Sequence, residues 1–166
     1  MSIKPYDTLS RCLHAVTNVK TSIVVRDARP SDSDAAARLC TQLGYPADAD
    51  AIAERLVRLA TDSNARAYVA VNDDGRVVGL ETVHLRITLN HAAPLAQITL
   101  LVVDEACRGQ GVGQRLVGAA EHWAREHGCS RIVVTTALDR AGAHRFYERA
   151  GYSHTGRRYL KDFRPE

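Results

Sequence analysis

The chain has 166 residues, 45% hydrophobic and 25% charged, with a formal net charge of +3. That is enough for one globular domain with a real core and leaves little room for a second. The small charge does not by itself call for nucleic acid, and no apolar run approaches the roughly 18 residues that cross a bilayer.

The N-terminus reads MSIKPYDTLSRC, without the apolar stretch of a secretory signal, so the cytoplasm is the expected compartment. Cys12, Cys40, Cys107 and Cys129 are scattered, with no CxxC pair, and read as plain core or surface thiols with no metal. Charge is divided along the chain. Residues 27–75 carry nine acids and five bases, whereas residues 76–166 carry nine acids and thirteen bases. A polyanionic ligand on the second half and a cationic partner on the first would both suit that polarity.

In chain order, residues 1–21 read as an arm or a short helix, and residues 22–166 as the domain proper. SIVVRDA (22–28) predicts a strand. Pro30 and Ser31-Asp32-Ser33 start a helix that runs to Leu43 and stops at Gly44 and Pro46. Asp48 is placed to cap a second helix with Ile52, Leu56 and Leu59 on its apolar face. AYVAV, the turn NDDG and RVVGLETVHLRI predict two antiparallel strands in a hairpin.

Another turn, Asn90 to Pro94, leads into a strand over Ala96–Val103, apolar on both faces in its second half as in a central buried strand. After RGQGVG, the spacing of Val112, Leu116, Ala120, Trp123 and His127 predicts a helix that Gly128 ends. RIVVTTAL (131–138) predicts a strand, Ala141–Ala150 a helix, and TGRRYLKDF (155–163) a last strand. The order β-α-α-β-β-β-α-β-α-β describes an α/β fold, a mixed sheet covered by helices.

The turn RGQGVG (108–113) joins the buried strand to the helix. Glycine is the costliest residue to order, so its density there needs a geometric reason. Unpaired amides of a first helical turn, approached through glycines that lack Cβ, bind anions, and Arg108 adds a charge-assisted donor. A tight turn with no ligand is the plain alternative. A P-loop is excluded because Gln114 and Arg115 follow Gly113 in place of Lys-Ser/Thr. A dinucleotide fingerprint would need glycine where Gln114 or Leu116 stands, with Asp139 the feature in its favour.

The run VVDEACRGQGVGQRLVGAAEHWA resembles the acetyl-CoA signature of the GNAT superfamily of N-acetyltransferases, Arg/Gln-x-x-Gly-x-Gly/Ala, filled by Arg108, Gly111 and Gly113. AHRFYERAGY (143–152) is similar to the family's second segment, Ala-x-x-Phe-Tyr-Glu-x-x-Gly-Tyr/Phe. The resemblance covers about Ile23 to Phe163. It implies a GNAT fold and acetyl-CoA as cosubstrate. Backbone groups of Leu101, Val102 and Val103 would pair with the pantetheine arm. Amides of Arg108, Gly109, Gln110, Gly111, Val112 and Gly113 would hold the pyrophosphate. The arm would lie in a V-shaped opening between strands 96–103 and 131–138.

The implied reaction is direct attack of an amine on the thioester in a ternary complex, with coenzyme A leaving as a thiolate. It needs a neutral amine, an oxyanion donor and a proton for sulfur. Tyr147 matches the family tyrosine that protonates or bonds to the thiolate, the alternative being a half-buried aromatic on the face of Ala143 and Ala150. The backbone N–H of Val103 or of a neighbour in that strand is the natural oxyanion donor. Many relatives carry a glutamate base where this chain has Gln97, and an amide cannot take the proton of an ammonium group. Gln97 is left to orient the amine or a water. Glu81 and His84 are candidates for the missing base, and their spacing of three in a strand points them to opposite faces.

An acidic rim over Ser31–Asp62 (Asp32, Asp34, Asp48, Asp50, Glu54, Asp62) would favour a cationic small-molecule amine, such as a polyamine or aminoglycoside. The alternatives are a protein or peptide amine acceptor, or a coenzyme A-binding module with little catalysis. Nucleic acid is not an expected partner, because the chain has two Phe and one Trp, with Trp123 committed to a helix core face. Relatives that pair through their last strands imply a possible homodimer through Thr155–Phe163. The role of Arg140, where many relatives have asparagine, is left open.

Overall fold

The structure, a computed structural model, describes residues 22–163; the arm expected over residues 1–21 lies outside the described residues. The sheet contains β1 (Val24–Asp27), β2 (Ala65–Val71), β3 (Val77–Arg86), β4 (Leu95–Val103) and β5 (Arg131–Val134), in that spatial order. Pairs β1–β2, β2–β3 and β3–β4 are antiparallel and β4–β5 is parallel. The helices are α1 (Ser33–Gln42), α2 (Ala49–Thr61), α3 (Val112–Glu126) and α4 (Ala141–Arg149).

Asp48 caps α2 as its position suggests: its carboxylate accepts from the amides of Asp50 and Ala51 at 3.0 and 3.2 Å. Ile52 and Leu56 of α2 then bury against Leu39 and Cys40 of α1 and against Val69, Leu80 and Val102 of the sheet. On the opposite face, α3 buries Leu116, Val117, Ala120 and Trp123, and α4 adds Tyr147. Burying each large apolar side chain contributes about 1.5–3 kcal/mol. The α1 helix begins later than expected, after a 3-10 turn at Pro30–Asp32. There Asp32 accepts from the Arg29 amide at 2.8 Å and forms a double hydrogen bond with Arg26.

Two departures shape the site. Leu100 pairs with Thr82 and Ile98 with Val83, so Thr99 is an extra residue in β4. Pairing with β5 ends at the same place, at Ile98↔Val134. Beyond it, β4 stays paired with β3 only, and residues 135–138 are not strand, although RIVVTTAL predicts one through 138. The splayed edges form a V.

The closing strand expected at Thr155–Phe163 is also missing. Residues 152–163 carry no helix or strand, and Tyr159, Leu160 and Phe163 are 88%, 71% and 87% exposed. A strand forms only against a partner edge, and no edge is paired with this segment. The mixed α/β sheet with helices on both faces stands as expected.

Candidate active site

The bulge at Thr99 sets which side chains and backbone groups reach the V. Ahead of it Ala96 and Ile98 enter the core under α3; behind it Val102 packs toward α1 and α2, while Leu101 and Val103 turn toward α3. Asp104 donates its amide to the Val78 carbonyl of β3 at 2.9 Å. Backbone groups of a strand alternate in direction, so those of Leu101 and Val103 point away from β3 into the V, and those of Val102 point toward β3.

A cavity of about 630 Å³ runs from the glycine turn to α4, lined by Val103, Arg108, Gly111, Gly113, Phe146 and Tyr147 among others. A smaller one of about 110 Å³ occupies the V between Thr99–Leu101 and Val134–Ala137. Leu43, Leu101, Arg140, Ala143 and Tyr147 line both, so the cavities meet at these residues.

At the turn, Gly109 and Gly111 have φ of 78° and 82°, the left-handed region that side chains avoid. Gly111 is the N-cap of α3 and provides no side-chain bond. The amides of Val112, Gly113 and Gln114 therefore begin the helix without intrahelical partners, beside the cavity those residues line. Such amides can donate to an anion, and Arg108, Arg140 and Arg149 line the same space. Unpaired amides at one end, three arginines and apolar walls toward Tyr147 fit a diphosphate with a neutral arm.

Gly113 has a different purpose from the other two glycines. A Cβ there would lie 3.2 Å from the Phe146 ring, so its bareness lets α4 approach α3. Gln110 turns its side chain back to the Ala106 carbonyl at 3.1 Å and does not line the cavity. Arg108 is held by Glu105 at 3.3 Å.

The turn is braced from α1. Asp104 is buried, accepts from Arg38 and from the Ala106 amide, and so starts the 3-10 turn Glu105–Cys107 that leads into Arg108. Arg38 also donates to the Val77 carbonyl, and Gln42 accepts from the Glu105 amide. The Arg38 hydrogen bond holds the Asp104 carboxyl below its usual range.

Tyr147 is 9% exposed, with Phe146 and Tyr152 rings 5.1 and 5.5 Å away. Burial, with Glu81 adding to it once ionised, pushes its phenol up to about 12. Gln97 sits elsewhere. It is on the opposite face of β4, lines neither cavity, and its amide oxygen accepts from Arg86. His84 is its cross-strand neighbour. The structure thus groups Gln97 with His84 and Arg86, apart from Tyr147, while Glu81 lies under α3, fully buried.

The acidic rim is not found at the cavities. None of Asp32, Asp34, Asp48, Asp50, Glu54 and Asp62 lines either one. Asp32 is spent on Arg26 and Asp48 on its helix cap. Arg140, Ala143, Phe146 and Arg149 were absent from the expected site, though Ala143, Phe146 and Tyr147 share a helical spacing that marks one face. Nothing in the sequence pointed to Leu43 or Thr135.

Residues 31–152 match the family model described as the acetyltransferase (GNAT) family. The aminoalkylphosphonate N-acetyltransferase of Salmonella typhimurium is 33% identical over 138 residues, covering 82% of this chain and 89% of that protein. An aminoglycoside N(6')-acetyltransferase type 1 of Stenotrophomonas maltophilia is 28% identical over 142 residues, 84% of this chain and 92% of its own. A crystal structure of an aminoglycoside N-acetyltransferase in complex with CoA superposes with TM-score 0.77 at 18% identity, over 87% of this chain and 97% of that one, and shows the shared fold. The chain belongs to the GNAT acetyltransferase family and is, by that membership, an acetyl-CoA-dependent N-acetyltransferase.

Proposed function

We propose that this enzyme acetylates the primary amine of a small molecule, with acetyl-CoA entering along the larger cavity and the acetyl group lying where the two cavities meet. The observation that carries this reading is the continuity of the α3 amides with Tyr147 through one cavity. Acetyl-CoA supplies an activated acyl group: the amine nitrogen forms the new C–N bond, the C–S bond breaks, and the sulfur leaves as a thiolate.

The chain's residues divide the work. The unpaired amides of Val112, Gly113 and Gln114 hold the diphosphate, and the outward backbone groups of Leu101 and Val103 hold the arm. The Val103 N–H, or that of Leu101, donates to the carbonyl oxygen as it gains charge. Tyr147 donates a hydrogen bond to the departing sulfur. Full transfer of its proton is disfavoured: a phenol near 12 is about 3.5 units weaker than a thiol near 8.5, or about 5 kcal/mol uphill. Tyr147 therefore stabilises the thiolate while keeping its own proton, and the amine's proton leaves to water or acceptor-side groups. Gln97, on the other face of β4 and engaged by Arg86, is given no contact with the thioester.

Relatives of both charge types frame the acceptor, an aminoalkylphosphonate for one and an aminoglycoside for another. The cationic acceptor expected from the acidic stretch loses its premise, since Arg108, Arg140 and Arg149 line the larger cavity, Arg140 the smaller as well, and no acid lines either. A homodimer through the exposed 155–163 segment stays part of the proposal, and light scattering of the purified protein measures it.

The test is thiol release from acetyl-CoA with aminomethylphosphonate, neamine, spermidine, amino acids and an N-terminal peptide. We expect acceptor-dependent release with a small-molecule amine, and a fall of roughly 10²-fold for Tyr147→Phe. Cofactor binding by calorimetry without turnover of any amine would leave a coenzyme A-binding module instead.

A further inference from the structure

Glu81 lies in the middle of β3, between Tyr68 of β2 and Leu101 of β4 in the register of the sheet. It is 0% exposed, and neither of its carboxyl oxygens has a hydrogen-bond partner. No arginine, lysine or histidine is paired with it among the described residues. A carboxylate in such a place would be an uncompensated buried charge, so the group is a neutral acid at neutral pH. Burial, with Glu121 adding to it, pushes the carboxyl up to about 8.

Its surroundings connect it to the reaction. The titratable groups around it are Tyr68 from β2, Glu121 from α3, Tyr147 from α4 and Tyr152 just beyond α4. Tyr152 donates its hydroxyl to Glu121 at 3.2 Å, and its ring packs on Tyr147. Leu101, the cross-strand neighbour of Glu81, and Tyr147 both line the junction of the two cavities. Glu81 thus stands directly behind the place where the thioester would lie.

We propose that Glu81 is a positioning residue that works as a neutral acid behind Tyr147, and that its ionisation switches acetyl transfer off at alkaline pH. This rests on the acetyl-transfer reading above. The transition state gathers negative charge on the carbonyl oxygen and on sulfur. A second negative charge one side chain away, in a dry interior, opposes that charge and tightens the hold of Tyr147 on its proton. The reaction itself consumes no proton of Glu81; the carboxyl exchanges one with solvent as pH changes.

The experiment compares turnover of Glu81→Gln with wild type, at saturating acetyl-CoA and with whichever panel amine is acetylated. Ionisation of the acceptor is common to both enzymes and cancels in their ratio. A single group titrating near 8 makes that ratio rise about tenfold between about pH 7 and about pH 9, whatever its starting value. A ratio that stays flat overturns the proposal. Glu81→Leu is the second variant should the first fail to fold, with the same two outcomes. Infrared spectra test the group without turnover: the carbonyl band of a protonated carboxyl is expected at neutral pH in wild type and missing from Glu81→Gln. Its absence from wild type also overturns the proposal. If no amine is acetylated, the off-switch falls along with the acetyl-transfer reading, but the infrared band still reports Glu81, so the two failures stay distinct.

Discussion

Arg140 shows what one side chain contributes at the junction. It stands at the N-cap of α4, and one guanidinium nitrogen donates to the Leu43 carbonyl at 2.9 Å, spanning from α4 to the end of α1. It is half-buried, lines both cavities, and has no carboxylate partner among the described residues. A half-buried cation of this kind gains from an anion brought by the ligand. Arg140→Gln is expected to raise the KM for an amine that carries a phosphonate or carboxylate by roughly tenfold, and to leave that of a polycationic amine nearly unchanged. Steady-state kinetics with aminomethylphosphonate and neamine measure this. An equal loss with both would assign Arg140 to the cofactor arm instead. The residue types at the glycine turn and Tyr147 were legible because each has a short motif; Arg140 was noticed in the sequence but given no role, since its partner Leu43 is 97 residues away.

Among elements, α1 does more than cover the sheet. Its Arg38 and Gln42 hold Asp104 and the Glu105 amide, and so fix the path of the chain into the glycine turn. Arg38→Ala is expected to raise the KM for acetyl-CoA several-fold while kcat changes little, because the turn loses its brace and the reacting groups do not. Stability should fall by about 1 kcal/mol, a modest loss because the Arg38 side chain is 41% exposed and screened. Calorimetric affinity for coenzyme A and a thermal melt check the two parts. The Thr99 bulge is the element-scale feature that the sequence hides. ITLLVV is apolar at nearly every position, so no alternation exists whose break would reveal an inserted residue. The expected last strand is missing for a similar reason: TGRRYLKDF has strand-like composition, but strand formation requires an edge to pair with, and that is not a local property.

For the whole molecule, the buried acids act in opposite directions with pH. Asp32 and Asp104 have lowered pKa values, held down chiefly by hydrogen bonds from Arg26 and Arg38. Their stabilisation is present above the usual carboxylate range and is lost as pH falls through their lowered values. Glu81 has a raised pKa, so the native state holds a proton that the unfolded chain releases. Its contribution is full below about 4.5 and is lost as pH rises to about 8, by about 5 kcal/mol in all. Thermal midpoints are therefore expected to fall between about pH 5 and about pH 8 in wild type, and to be nearly flat there in Glu81→Gln. A wild-type midpoint that stays level over that range would remove the buried neutral acid from the account.

The sequence by itself determined the family, the order of the elements through α4, the glycine turn and the tyrosine. These depend on neighbours within a few residues, where spacing and residue type act directly on backbone conformation. Tertiary structure alone decided where β4 leaves β5, that the acids of the first half stand away from the cavities, and that Gln97 faces one side of the sheet while Tyr147 and Glu81 share the other. Those outcomes depend on register and on burial. Both are set by pairing between segments far apart in the chain, and a one-residue bulge is enough to reverse them.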